Sequence, residues 1–184
     1  MKRESREPEE KEARHLMLYE TTMDSPVGVL TLVASESGLR AVLWHIEKAN
    51  RVRLGAIEGG ASDPNGVLVR VERQLNEYFA GTRTSFGIEL DAIGTEFQQS
   101  AWTALRTIEF GETVSYGEQA RRMGDARKAR AVGAANGRNP ISIIVPCHRV
   151  VGADGSLTGF AAGVDTKAWL LDHERRVSAR PRSS

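Results

Sequence analysis

Alternation of apolar and polar positions organises the first part of the chain. Residues 16–23, 27–34 and 39–46 are rich in β-branched and apolar side chains, with turn signals at Ser25-Pro26 and Ser37-Gly38. That pattern predicts a small antiparallel meander. Residues 47–66 are charged and Gly-rich without periodicity and are expected to form a loop. Leu68, Val71, Leu75, Tyr78 and Phe79 then recur at helical spacing, and Gly81 closes the helix. Residues 86–90 either return as a strand or link two halves.

The second half opens with a capping box, Thr95 to Gln98, that starts a helix with Phe97, Ala101, Leu105 and Ile108 on one face. Ser115 to Glu118 starts a short helix that ends at Gly124. Asp125 caps a third, from 126 to about 136, stopped by Gly137. Two short helices joined by a Gly-containing turn fit a helix-turn-helix, and equally a simple packing unit. The apolar run 141–145 reads as a buried strand, residues 150–158 as a hairpin around Asp154-Gly155. A last helix over about 164–175 would turn Val164, Ala168 and Leu171 inward.

Composition narrows the class. A chain of 184 residues with 40% hydrophobic side chains has room for one large or two small domains and is not wholly disordered. No apolar run approaches the roughly 20 residues that span a bilayer. Residues 1–14 carry ten charges, so they are expected to be a solvated tail rather than a signal or an anchor. A single cysteine excludes an internal disulfide framework and a multi-Cys zinc site, and points to a reducing, cytoplasmic compartment.

Charge is distributed unevenly. Residues 1–94 carry 12 basic and 15 acidic side chains, and residues 95–184 carry 13 and 9. The excess lies between positions 121 and 138, where six basic residues, including Arg127, Lys128 and Arg130, face Asp125 alone. Such a block is either a solvated helix face or a phosphate-contacting surface.

The lone Cys147 is either a small buried hydrophobe or a nucleophile. It follows an apolar run and Pro146, and His148 is its neighbour. A thiolate nucleophile needs an adjacent base or positive charge, and the base needs an orienting partner. His148 and Glu174 supply those residue types. Adjacent side chains of an extended segment point apart, so a water between Cys147 and His148 is as compatible as direct contact. Local chemistry leaves acyl transfer by a cysteine hydrolase open.

Several blocks, in order, resemble the O6-alkylguanine–DNA alkyltransferases. They are Ile144 to Gly152 around Pro146-Cys147-His148-Arg149, Gly111 to Gly117, Ala129 to Gly133, Asn136 to Pro140 and Trp169 to Glu174, with Ser25 to Gly28 and Tyr78 to Gly81 in the first half. The resemblance covers roughly residues 16–176. It implies DNA repair by direct reversal, in which the alkyl group of O6-methylguanine, and of O4-methylthymine, passes irreversibly to the protein's own cysteine. By that resemblance Cys147 is the acceptor, activated through water by His148 with Glu174 behind it. Tyr116 donates toward the leaving guanine, and Asn139 braces the active-site turn. Arg130 enters the minor groove in place of the flipped base, with Tyr116, Arg127 and Lys128 also at the DNA. Val150, Phe160 and Ala161 line the base pocket.

The implied partner is double-stranded DNA, without a membrane, bound by a monomer for which cooperation between copies remains open. No cofactor is implied. The structural zinc of mammalian relatives is not expected, since no cysteine precedes Cys147 and only His15 and His45 lie in that half. An alkyltransferase-like protein that only recognises damage is a further alternative, but such proteins lack the acceptor cysteine. This chain departs from the pocket pattern at Phe160, where the family usually has tyrosine, and at Ala162, where it has glycine.

The expected fold class is α/β. A small N-terminal antiparallel-sheet-plus-helix domain (15–90) precedes a C-terminal mainly helical domain (91–177) with a helix-turn-helix, winged-helix-like. Tails at 1–14 and 178–184 flank them.

Overall fold

The computed structural model describes residues 17–52, 54, 63 and 65–181. The charged tail 1–14, half of the loop expected between 47 and 66, and residues 182–184 lie outside the described residues.

Three strands form the antiparallel meander: β1 (Leu18–Met23), β2 (Leu30–Ser35) and β3 (Gly38–Trp44), in the order β1-β2-β3. The register pairs Met23 with Leu30 and Leu30 with Trp44, with a bulge between Val33 and Ala34. Ser25 closes the first turn, its hydroxyl donating to Gly28 O at 2.5 Å and accepting from Val27 N–H at 3.2 Å. The pleat sorts the side chains as the alternation requires. Leu30, Leu32 and Ala34 belong to the main core, whereas Leu18, Val33 and Ala41 form a small cluster with Leu43 and Val52.

Helix α1 (Val67–Ala80) lays Val67, Leu68, Val71, Leu75 and Tyr78 into that main core. Gly81, at φ 75°, ends it in the left-handed conformation that glycine adopts without a Cβ penalty. The link that follows is not a strand. Leu90 makes one parallel bridge to Leu39, held by Leu39 N–H to Glu89 O and Asp91 N–H to Leu39 O, both 2.8 Å. Asp91 then pairs with buried Arg40 at 2.5 Å, so the link stays pinned to the edge of β3.

The second half is mainly helical. α2 (Glu96–Leu105) starts at the capping box, with Thr95 and Gln98 satisfying each other's backbone N–H. β4 (Val114–Ser115) leads into α3 (Tyr116–Arg122), whose first turn is capped by Ser115. A 3-10 turn, Ala126–Lys128, enters α4 (Ala129–Gly137), so the third expected helix is tighter at its start. Gln119 and Asn136 lock α3 to α4 through two amide hydrogen bonds of 3.0 and 2.7 Å. Gln119 also donates to Ala101 O of α2 at 3.1 Å.

Two further expectations are corrected here. The run 141–145 is not a strand: Ile141 makes one parallel bridge to Val42, and then the chain turns. Asn139 Oδ1 accepts from Ile141 N–H, and Val145 N–H bonds back to Ile141 O. Ile143 is left-handed at φ 72°, a strained state for a β-branched residue. The run is apolar because both halves of the chain close over it. After it, β5 (Val150–Val151) pairs in parallel with β4, and residues 152–156 form a tight turn rather than a strand hairpin.

The last helix, α5 (Val164–Ser178), runs longer than expected and takes in Ser178, expected in the tail. Its inward face is also different. Val164 and Ala168 are exposed, while Lys167, Leu170, Leu171, His173 and Glu174 are buried. Apolar periodicity misreads this helix because its buried polar groups all have partners.

Candidate active site

Glu174 is the centre of the site. Its carboxylate is buried and faces five donor atoms on four residues, from three parts of the chain. Oε1 lies 2.7 Å from His148 Nε2, 2.9 Å from the Tyr78 hydroxyl and 3.0 Å from Arg149 Nη2. Oε2 accepts from Arg149 Nε at 2.9 Å and from Gly111 N–H at 3.0 Å. Gly111 is at φ 81°, and a Cβ there would run into the Ser178 hydroxyl, so only glycine offers its N–H in this way. Burial opposes the charge of Glu174, but the hydrogen bond and charge of His148 and of Arg149 hold the carboxyl well below the usual range. Arg149 spends its remaining reach on Ile108 O, 2.6 Å away.

An ionised Glu174 fixes the state of His148. Burial holds the imidazole below its ordinary pKa, although the hydrogen bond to Glu174 works the other way. A neutral ring facing a carboxylate through Nε2 carries its proton there, which leaves Nδ1 as the basic nitrogen. Nδ1 is buried and has no hydrogen-bond partner among the described residues.

Cys147 opens the 3-10 turn Cys147–Arg149 and is buried. Asn139 Nδ2 donates to its Sγ at 3.2 Å and to Val145 O at 2.8 Å. Asn139 therefore holds both the thiol and the backbone that delivers it. Burial pushes the thiol pKa up, while the Asn139 hydrogen bond and the positive charges of Lys167 and Arg51 pull the other way. The hydrogen bonds thus form two branches, Asn139–Cys147 and His148–Glu174, whose joint is the peptide between Cys147 and His148.

Tyr116, at the start of α3, donates its hydroxyl to Thr158 O at 3.3 Å. Burial raises its pKa, so the phenol keeps its proton. Lys167 lies beneath: its ammonium donates to Val150 O at 2.5 Å and Thr158 O at 3.1 Å, and sits 5.9 Å from the Tyr116 ring centre. It ties the two backbone segments that flank the expected base pocket. Val150 is fully buried there, and Phe160 and Ala161 are half-buried against the core.

Arg130, Arg127 and Lys128 are exposed on α4 and the turn before it. Arg127 pairs with Asp125 but its side chain is 91% exposed, so that pair holds it weakly. Lys128 lies 5.9 Å from the Phe97 ring centre, and Arg130 has no ion-pair partner among the described residues. Among the described residues no group of three or more His, Cys, Asp or Glu side chains could hold a metal, and no helix is long and apolar enough to cross a membrane.

Sequence reasoning missed Tyr78, Gly111, Arg149 and Lys167. Tyr78 was legible as a core position of α1 and as part of a resembling block, without a task at the site, and Lys167 was not singled out. Arg149 lay inside the cysteine motif without an assigned task.

Comparison with known proteins agrees with this geometry. Residues 18–92 match the family model for the 6-O-methylguanine DNA methyltransferase ribonuclease-like domain, and residues 96–176 match the model for its DNA binding domain. A methylated-DNA–protein-cysteine methyltransferase of Mycolicibacterium paratuberculosis is 49% identical over 162 residues, covering 88% of this chain and 95% of that one. The crystal structure of the Mycobacterium tuberculosis O6-methylguanine methyltransferase is similar at 46% identity and a TM-score of 0.77, covering 91% of this chain and 97% of that chain. A structure of the M. tuberculosis OGT in complex with DNA is 44% identical with a TM-score of 0.74, covering 88% and 94%.

Proposed function

The chain belongs to the 6-O-methylguanine DNA methyltransferase family, and on that premise we propose that Cys147 takes the alkyl group from O6 of guanine in DNA, once per protein molecule. The observation that carries this reading is the buried 2.7 Å contact of His148 Nε2 with Glu174, which leaves Nδ1 of the residue beside Cys147 as a base.

The methyl group of O6-methylguanine lies on the pairing edge, inside the duplex. The base has to turn out into a pocket, at a cost of a few kcal/mol, less when the pair is already damaged. Arg130, exposed on a helix rich in small residues, suits entry from the minor groove and filling of the vacated space. Arg127 and Lys128 suit the flanking phosphates.

In the pocket the thiol proton passes through water to His148 Nδ1, and the charge that forms on the ring is balanced by Glu174. The sulfur attacks the methyl carbon in line; the S–C bond forms as the C–O bond breaks. The electron pair stays on the base, which takes up at a ring nitrogen, relayed through water, the proton that His148 had accepted, and leaves as guanine. Tyr116 donates toward the base as that charge develops. The product is a thioether, which no group nearby can hydrolyse. O4-methylthymine presents the same alkyl–oxygen bond and is taken as a second substrate.

Intact-protein mass after incubation with a duplex holding one O6-methylguanine tests the reading. A gain of one methylene at Cys147, absent in Cys147→Ser and limited to one per molecule, is expected. Tight lesion binding without a mass change would replace it with damage recognition alone. Turnover of an ester without methyl gain would point to a hydrolase.

A further inference from the structure

The N-terminal sheet ends inside the site. β3 stops at Trp44, whose side chain is only 2% exposed. Its indole N–H donates to Ser142 Oγ at 3.1 Å, next to the left-handed Ile143 of the cysteine turn. Its ring meets Phe160 edge-on, with centroids 5.6 Å apart and planes at 65°. The backbone beyond Trp44 makes a parallel connection to the same turn: Trp44 N–H donates to Glu47, Glu47 pairs with Arg51, and Arg51 donates to Asn139 O at 2.6 Å.

Phe160 has no polar atom with which to fix its ring. The loop that carries it lies between Gly159 at φ 62° and Gly163 at φ 89°, with small Ala161 and Ala162 inside. Its ring position is therefore set by packing, and Trp44 is its aromatic partner.

We propose that Trp44 is a positioning residue for the base pocket: it backs Phe160 and so sets the size of alkyl group the pocket admits. The inference rests on the alkyl-transfer reading. A residue of the N-terminal domain then decides specificity in a reaction whose reacting atoms all lie in the other half. With the indole in place, Phe160 is held toward the pocket and favours a methyl group. Without it, the ring retreats into the vacated space, and a bulky group gains room while a small one loses contact.

The test compares wild type, Trp44→Ala, Trp44→Phe, Phe160→Ala and the double alanine variant. Intact-mass time courses follow alkyl uptake from duplexes holding O6-methylguanine or O6-benzylguanine. Trp44→Ala should raise the benzyl-to-methyl rate ratio about three- to tenfold, the span of an edge-to-face aromatic pair. Trp44→Phe should return the ratio to within about twofold of wild type, because an aromatic edge remains. In the double variant, the Trp44 change should add nothing to the ratio of Phe160→Ala. An unchanged ratio with both rates falling together, or full additivity of the two alanine changes, overturns the proposal. Should Trp44→Ala not fold, as judged by thermal melting, Trp44→Leu carries the same measurement with the core better filled. If wild type takes up no methyl group, the alkyl-transfer reading fails and this inference with it. If wild type reacts and the ratio does not move, only this inference fails.

Discussion

The hydroxyl of Tyr78 lies 2.9 Å from Glu174 Oε1, although 96 residues separate them in the chain. One belongs to the helix that covers the N-terminal sheet, the other to the last helix. The oxygen they share is also the one that orients His148. The carboxylate that faces His148 is thus partly held by a helix of the N-terminal half.

Tyr78→Phe keeps the ring packing and removes one donor. Urea denaturation should show a loss of about 1.5–3 kcal/mol, as for a hydrogen bond to a charged group. Glu174→Gln should cost more, about 3–5 kcal/mol, because it leaves the Arg149 charge buried without its counterion. It should also slow methyl uptake well beyond the effect of Tyr78→Phe. Equal stability losses in the two variants would argue against Glu174 as the hub.

Both His148 and Glu174 have folded-state pKa values below their ordinary ones of 6.5 and 4.5, so the unfolded chain binds more protons. Stability from both is complete above pH 6.5. It falls as His148 must be accommodated uncharged, and falls further below pH 4.5, as Glu174 is forced to protonate. Urea midpoints measured between about pH 8 and pH 4 should therefore decline in two stages, and His148→Asn should remove the first. Methyl uptake should keep its rate somewhat below pH 6.5, since the buried imidazole stays neutral there. A midpoint that rises on acidification through this window would contradict the buried neutral ring.

Phe160→Tyr adds a hydroxyl at the expected base pocket, beside Trp44. Methyl uptake should persist, and the benzyl rate should shift by roughly fivefold, equivalent to about 1 kcal/mol for a single polar contact. Rates for both groups that match wild type would mean the hydroxyl has no partner in the pocket.

Arg130→Ala removes an exposed side chain without an ion-pair partner among the described residues, so thermal stability should stay within about 0.5 kcal/mol. Repair of duplex DNA should nevertheless slow roughly tenfold, equivalent to about 1.4 kcal/mol. Lys128→Ala should lower the salt dependence of duplex binding by about one unit of slope while leaving lesion preference intact. A stability loss in Arg130→Ala matching its loss of repair would recast that residue as structural.

The meander, the capped helices and the cysteine motif were legible in the sequence because each follows from local rules: alternation in β1 to β3, Thr95 with Gln98 at α2, Gly81 after α1. The run 141–145 was not, because apolarity reports burial and not backbone shape, and only Asn139 and the strained Ile143 show that it turns. α5 was misread because its inward face carries Lys167, His173 and Glu174, and a periodicity of apolar residues cannot see polar groups buried with partners. Glu174 was legible as a candidate partner for His148 and again through the family resemblance, whereas Tyr78 and Gly111, two of its donors, have no local signature for that task. Their roles exist only once distant segments meet.

The separation between those segments bears on how the chain folds. Tyr78 and Gly111 reach Glu174 across 96 and 63 residues, and such closures incur their loop entropy before any bond is gained. The network therefore assembles with the whole tertiary structure and dissolves with it. Nothing in an isolated helix or hairpin of this chain would hold the imidazole in its tautomer or the thiol against Asn139. Reactivity toward alkyl groups is in this sense a property of the cooperative folded state, and a partially opened molecule carries an ordinary, unguided cysteine.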